Sequence, residues 1–340
     1  MKATAVAPSN IAFIKYWGKK DEALRIPMNG SVSMNLSNLL TTTTVEFNPK
    51  LKEDNITLKS PRRWRGSDLD SFEVDNNEVN VFNRITEHLD RIRSLAKIHH
   101  KARVVSVNNF PTGTGLSSSA SGFAALTLAA SDAAGLNLSE KELSILARQG
   151  SGSACRSIPD GFVEWLDGDS NETSYAVSIF PPDYWDIADV VVVVSTNKKE
   201  VPTTEGQKLA SSSPFFPVRQ ERIKEKIKLI KKHMQEKNFP LFGELIEQEA
   251  LELHAIMLTS TPPLIYWLPA TVSVMHAVQK WRKDGMQVYF TVNTGQDIHL
   301  ICQKKDADTV SKKAKEISEV IKTIVNFPNK GAYLVENHLF

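Results

Sequence analysis

Three short stretches combine residue types that can hold anions. The first reads Pro111-Thr-Gly-Thr-Gly-Leu-Ser-Ser-Ser-Ala120. It sits between residues 102–107, which predict a strand, and residues 119–134, whose Ala, Leu and Phe content predicts a buried helix ended by Gly135. Glycines such as Gly113 and Gly115 let a backbone approach a ligand closely. A helix N-terminus then offers free N–H groups and the positive end of its dipole, and Ser117, Ser118 and Ser119 add hydroxyls for phosphate oxygens or metal-bound water. No Walker-type GK[ST] follows. A flexible linker is the competing reading, but a linker has no reason to run straight into an apolar helix. The second stretch is Gly150-Ser-Gly-Ser-Ala-Cys-Arg-Ser157, in which Arg156 offers a planar fork suited to carboxylate or phosphate. A surface turn with a salt-bridged arginine explains these residues equally well. The third is Asn10-Ile-Ala-Phe-Ile-Lys-Tyr-Trp-Gly-Lys19, followed by Pro27-Met-Asn-Gly-Ser-Val-Ser33. It reads as a strand with Ile11, Phe13 and Ile14 in the core and its lysines in water, unless Lys15, Tyr16 and Lys19 hold a ligand.

The elements that must position these stretches follow from hydrophobic period. Phe82, Ile85, Leu89, Ile92 and Leu95 form a helical stripe, and a further helix is expected over 140–149. Residues 41–47 predict a strand, and the run 188–195 predicts a central buried one. Beyond the proline-rich segment 180–185, taken as the domain boundary, Ile223, Ile227, Ile230 and Met234 share a face of a basic helix. Val310, Ala314, Ile317 and Ile321 predict another helix, and residues 287–292 and 298–302 two strands around the turn NTGQD. The basic stretch 59–65 reads as a solvated loop. The second half is therefore α+β, with helices packed on an antiparallel sheet.

Composition narrows the function classes. With 41% hydrophobic and 24% charged residues in 340, the chain is long and apolar enough for a large core, which excludes general disorder. The 41 basic and 39 acidic residues nearly cancel, so nucleic acid and anionic membranes are not expected partners. The longest apolar run, 190–194, is too short to span a bilayer, and MKATAVAPSN lacks the apolar core of a secretion signal. Cys155 and Cys302 are too few for a disulfide framework, so a reducing cytoplasm is the expected setting. The eight histidines show no metal-ligand spacing: His99 and His100 read as a surface pair, and His254 as a packed histidine.

Taken together, NIAFIKYWGKKD, NNFPTGTGLSSSASGFAAL, GSGSACRS with GFVEW, VVVVSTNKKEVPTTEGQKLASSSPFF and YFTVNTGQDIHLIC resemble, in order and spacing, the signature segments of the diphosphomevalonate decarboxylases, a branch of the GHMP kinase superfamily. The likeness covers most of the chain. It implies an α+β GHMP kinase fold: a ribosomal-protein-S5-domain-2-like domain over 1–185 that binds ATP, and a ferredoxin-like domain over 186–340. It implies ATP-dependent phosphorylation of the tertiary 3-hydroxyl of mevalonate 5-diphosphate, then loss of phosphate and carbon dioxide to give isopentenyl diphosphate. ATP and Mg2+ are the implied cofactors, and a homodimer the implied assembly. By position, Ser106, Asn108, Pro111, Gly113, Gly115, Ser117, Ser118 and Ser119 would hold ATP. Tyr16-Trp17-Gly18-Lys19, Ser151-Gly152-Ser153-Ala154-Cys155-Arg156 and the pair Ser212 and Ser213 would hold the substrate. Arg156 and Lys19 would also be catalytic.

One departure bears on the chemistry. The family places an aspartate, proposed to accept the hydroxyl proton, where this chain has Asn293, and an asparagine where it has Asp297; Gln296 replaces the family's proline, and Gly113-Thr114-Gly115 replaces its AAG. A neutral amide can orient a hydroxyl but cannot take its proton near neutral pH. Three readings compete. Asp297 exchanges roles with Asn293, or the γ-phosphate takes the proton, or the chain has left the full reaction and acts as a 3-kinase or decarboxylase on mevalonate or its monophosphate. An inactive ATP-binding paralogue is the reading from a different class; the intact Lys19, Arg156 and phosphate loop argue against it.

Overall fold

The computed structural model describes residues 1–61, 72–74, 79–111, 115–197 and 199–340. In chain order it holds strand β1 (Lys2–Ile14), a small ribbon of β2 (Lys19–Asp21) and β3 (Ile26–Pro27), β4 (Ser31–Asn48), β5 (Asn55–Pro61), β6 (Phe72–Val74), helix α1 (Val79–Ala96) and β7 (Lys101–Asn108). Helices α2 (Ser118–Ala133) and α3 (Glu140–Gly150) follow, then a 3-10 turn Gly152–Ser157, β8 (Phe162–Trp165), β9 (Ala176–Phe180) and β10 (Ile187–Val193). The chain continues through α4 (Thr203–Lys208), α5 (Phe216–Gln235), α6 (Phe239–Leu258), α7 (Pro269–Lys283), β11 (Val288–Thr291), β12 (Ile298–Gln303), α8 (Ala307–Lys315), β13 (Lys322–Asn326) and β14 (Tyr333–Val335).

The first sheet has eight strands, ordered β14-β1-β4-β7-β5-β6, with β8 on the early part of β4 and β9 on β8. It is antiparallel except where β5 runs parallel to β7. The two-residue period of β1 puts Ala3, Ala5 and Ala7 on one face, toward α1, α2 and α3, where Leu89, Ile92, Phe123 and Leu146 close the core. The second sheet is fully antiparallel, in the order β11-β12-β10-β13. Its strand–helix–strand–strand–helix–strand connectivity is the ferredoxin-like arrangement. Every residue of β10 is buried because both faces are covered: Val191 and Val193 meet α5 and α6, and Val190 and Val192 meet α7 and α8. The expected divide at 185/186 falls between β9 and β10, where the chain leaves the first sheet for the second; strand β14 later returns to pair with β1.

Two expectations need correction. The helix over Val310 to Ile321 ends at Lys315, because the Ile321 N–H donates to Val193 O as the chain joins β10. Residues Lys59 to Pro61 form the end of β5 rather than a loop, and 62–65 lie outside the described residues.

His88, on α1, shows how this core responds to acid. Its Nε2 lies 2.8 Å from Thr127 Oγ1 of α2, and burial pushes the ring down to about 3. A folded-state pKa below the unfolded value means the unfolded chain binds the proton first, so stability is present above about pH 6.5 and is lost as pH falls from there toward 3. His88→Gln keeps a partner for Thr127 and removes this titration. Urea midpoints at pH 7 and pH 5 are expected to separate less in the variant, by roughly 2 kcal/mol of unfolding free energy. Equal separations would show that His88 is not the titrating group.

Candidate active site

A cavity of about 360 Å³ opens where the end of β1, the start of α2, the 3-10 turn Gly152–Ser157, the start of α4 and the turn after β11 converge. Arg156 forms part of its wall. Its guanidinium donates to Ser31 Oγ at 2.8 Å and to Asn10 Oδ1 at 3.0 Å, and sits 5.8 Å from the Trp165 ring. The residue is 4% exposed, and no carboxylate pairs with it among the described residues. Burial lowers its proton affinity below the usual arginine range. A buried cation held by neutral groups alone is costly, and an anion entering the cavity relieves that cost. The turn carrying Arg156 packs tightly on Tyr16: a Cβ at Gly152 would lie 2.7 Å from the Tyr16 hydroxyl. Tyr16 in turn packs edge-on against Trp165, with ring centroids 4.7 Å apart.

The serine-rich loop reaches the cavity from the other side. Ser117 has a left-handed backbone and gives α2 no side-chain cap, so the first N–H groups of α2 are not met by that hydroxyl. Ser106, Asn108, Gly115, Ser117, Ser118 and Ser119 line the cavity. Pro111 is buried outside its wall, and Gly113 lies outside the described residues. Gly115 (φ +106°) touches the turn after β11: an added Cβ would fall 2.7 Å from Gly295 Cα. Ser151 Oγ donates to Ser119 Oγ at 3.3 Å, which ties the two anion-holding stretches together. The serine hydroxyls are hard oxygen donors that fit Mg2+, but no group of three or more metal-ligating residues exists among the described residues. The fit is therefore to an ion that enters with nucleotide phosphates, not to a protein-held cage.

Several functional groups escaped the sequence reading. Lys15, expected in water, is 3% exposed; its Nζ donates to Ala12 O at 2.6 Å and Asn293 Oδ1 at 2.9 Å. Burial holds this amine down to about 7. Lys199 is half-buried, and desolvation brings it to about 8. Its Nζ donates to Thr203 Oγ1, Thr294 O and Thr294 Oγ1. Asn293 also donates from Nδ2 to Ser117 Oγ at 3.4 Å. The packed role expected for His254 holds: its Nε2 donates to Asn293 O at 3.0 Å, its ring stacks on Trp267, and burial lowers it to about 3.

Of the stretches expected at the site, Tyr16, Trp17, Lys19, Ser151, Gly152, Ser153, Arg156 and Asn293 line the cavity. Lys19 is paired with Glu22 at 2.6 Å. Gly18 (φ +83°) turns the chain behind Trp17, and Ala154 and Cys155 are fully buried in the 3-10 turn that presents Arg156. Two expectations are corrected. Ser212 Oγ donates to Leu209 O and accepts from Thr261 N, and Ser213 Oγ bonds Thr259 Oγ1; neither lines the cavity, because the two hydroxyls tie the turn between α4 and α5 to the end of α6. Asp297, expected to exchange roles with Asn293, lies away from the cavity: its Oδ1 accepts from Val194 N at 3.0 Å at the end of β10, and it is absent from the cavity wall. The basic helix α5 spends Arg219 and Lys226 on buried Glu249.

Residues 7–176 match the family described as diphosphomevalonate decarboxylase-like N-terminal domain, and residues 189–335 match the mevalonate 5-diphosphate decarboxylase C-terminal domain. The chain is similar to a diphosphomevalonate decarboxylase of Candida albicans, at 33% identity over 91% of this chain and 86% of the relative. It is also similar to one of Homo sapiens, at 34% over 86% and 74%. Among solved structures, the mevalonate diphosphate decarboxylase of Staphylococcus aureus superposes with a TM-score of 0.89 at 37% identity, covering 98% of each chain. A protein called MDDEF, solved with MVAPP, AMPPCP and magnesium, gives 0.88 at 34%, covering 99% of each.

The contact at Gly115 yields a test. Gly115→Ala forces the serine loop off the Gly295 turn and disfavours its backbone conformation. Binding of a fluorescent ATP analogue is expected to weaken roughly tenfold or more, and unchanged affinity would show that the loop does not need this contact.

Proposed function

Because the chain belongs to the diphosphomevalonate decarboxylase family, we propose that it uses MgATP to phosphorylate the 3-hydroxyl of mevalonate 5-diphosphate, after which phosphate and carbon dioxide leave to give isopentenyl diphosphate. One observation supports this reading most directly. Lys15, Lys19, Arg25, Lys59, Arg84, Arg156 and Lys199 line the cavity, and no acidic residue does so among the described residues. Seven basic groups converge on one space in a chain whose net charge is only +2. That asymmetry suits two polyanions bound together, a nucleoside triphosphate and a diphosphorylated acid.

The walls divide the work. Leu58, Val81, Ile85, Val104 and Leu126 form an apolar end that suits a nucleobase. The N-terminus of α2 and Ser117 to Ser119 suit the phosphates, where magnesium supplies charge neutralisation when bound. Arg156 suits the carboxylate, and Tyr16 and Lys19 the diphosphate end. The chemistry asks mainly for position and charge stabilisation. A tertiary hydroxyl leaves poorly and its phosphate leaves well. Electrons of the breaking bond to the carboxylate relieve the positive charge that develops on the carbon. Among the described residues no helix is long and apolar enough to cross a membrane. A homodimer in the cytoplasm belongs to the same proposal, with sedimentation equilibrium as its readout.

The direct test incubates the protein with MgATP and, separately, mevalonate, its 5-phosphate and its 5-diphosphate, measuring ADP and carbon dioxide independently. Equal ADP and carbon dioxide from the diphosphate alone is the expected result. ADP without carbon dioxide would make the chain a kinase, and no ADP from any of the three would end the proposal. Arg156→Ala is expected to cost on the order of 100-fold or more in turnover; a loss of only a few-fold would remove Arg156 from the chemistry.

A further inference from the structure

We propose that Lys15 is the proton acceptor of the phosphoryl-transfer step, its unprotonated amine taking the hydrogen of the substrate hydroxyl while Asn293 and Ala12 hold the nitrogen in place. The inference rests on the functional reading above and goes beyond it, because it names a base where, among the described residues, the cavity wall offers no carboxylate.

Lys15 Nζ donates to two carbonyl-type acceptors, Ala12 O at 2.6 Å and Asn293 Oδ1 at 2.9 Å. Two N–H bonds are enough for this pair of acceptors, so a neutral amine here keeps its lone pair for the cavity that Lys15 lines. Lys199 provides the contrast. Its nitrogen donates to Thr203 Oγ1, Thr294 O and Thr294 Oγ1, a set that suits the three hydrogens of an ammonium. The two lysines of one cavity thus differ in their acceptors, Lys199 with a set for three hydrogens and Lys15 with a set for two.

The surrounding charges agree. Glu249 on α6 faces Lys15 and accepts its backbone N–H at 3.2 Å, but its carboxylate is already paired with Arg219 and Lys226 of α5. Asp189 on β10 is bound by His299 at 2.9 Å. Glu249 and Asp189 favour the ammonium, Arg156 and Arg219 oppose it, and burial outweighs all four. The amine is held to about 7 for that reason, so a large fraction is unprotonated at neutral pH. Other candidates are occupied or unsuited: His254 bonds the Asn293 carbonyl, Asp297 bonds Val194 N, and burial raises the Tyr16 hydroxyl. Asn293 is then a positioning residue. Its Nδ2 points to Ser117 Oγ and its Oδ1 to Lys15, so it spans the serine loop and the amine.

The step balances without a further reactant. The substrate O–H bond breaks and its proton binds the Lys15 lone pair. The oxygen forms a bond to the γ-phosphorus of ATP, and the bond from that phosphorus to the β–γ bridging oxygen breaks, with its electron pair leaving on ADP. The ammonium returns its proton to solvent before the next cycle.

The test compares wild type with Lys15→Met, Lys15→Arg and Asn293→Asp from pH 5.5 to 9, following ADP release, with cooperative unfolding confirmed for each. Wild-type kcat/KM is expected to fall on the acid side with a midpoint near 7. Lys15→Met and Lys15→Arg are both expected to lose about 100-fold or more. In Asn293→Asp a carboxylate beside the amine restores the ammonium and supplies a base of lower pKa, so the acid limb moves down by more than about one pH unit. NMR of 13C-lysine-labelled protein, with the Lys15 signal identified by its loss in Lys15→Arg, is expected to show titration near 7 in wild type and well above it in Asn293→Asp. Turnover in Lys15→Arg within about tenfold of wild type would show that positive charge alone suffices and overturn the proposal, as would a Lys15 signal titrating above 9. Wild type that turns over none of the three mevalonates would instead remove the functional reading, and the base with it.

Discussion

Placing a basic group away from water without a carboxylate is expensive for its charged form, and this chain does so repeatedly around one space. Arg156 rests on Asn10 and Ser31, Lys15 on Ala12 and Asn293, and Lys199 on Thr203 and Thr294, all neutral partners. The available buried carboxylates are engaged elsewhere: Glu249 with Arg219 and Lys226, Asp189 with His299. The fold tolerates Arg156 and Lys199 as cations because ligands bring their counter-charges, whereas Lys15 meets the cost by giving up its proton. Part of the stability lost in the empty protein is returned on binding, which favours simultaneous occupation by two anionic substrates.

Holding these groups at short range requires two sheets to meet accurately. Strand β1 ends at Ile14, directly before Lys15, and the turn after β11 delivers Asn293 from the second sheet. Close backbone contact between Gly115 and Gly295 and the Lys15–Asn293 hydrogen bond join the two halves at the floor of the cavity. Helix α6 supports that floor from below, through Glu249 to the Lys15 backbone and His254 to the Asn293 carbonyl. The amide at 293 fits this frame. A carboxylate there would hold Lys15 as an ammonium, whereas the amide positions it and leaves the amine free to lose its proton.

Much of this was legible in the sequence, and what was not has physical reasons. Glycine-softened loops leading into an apolar helix, and an arginine among small residues, report their chemistry through local composition. Helix α2 and strand β10 follow from hydrophobic period alone. Lys15 was not legible as a buried amine, because the residues that define its environment, Glu249 and Asn293, lie 234 and 278 positions away. Ser212 and Ser213 look like ligand-binding hydroxyls, but Thr261 and Thr259, just past the end of α6, take their hydrogen bonds. Asp297 sits close to Asn293 in sequence, yet it follows a turn that points it at the end of β10. The apolar period past Lys315 continues as a helix on paper, but pairing with β10 recruits the segment instead.

The central claim is that buried cations in the cavity wait for phosphate-bearing anions. The most direct measurement is the unfolding free energy of the ligand-free enzyme as inorganic pyrophosphate is added, with sodium chloride matched for ionic strength as the control. The account predicts stabilisation that grows with the logarithm of pyrophosphate concentration above saturation and exceeds the chloride effect at every point. Curves for the two salts that coincide would contradict it.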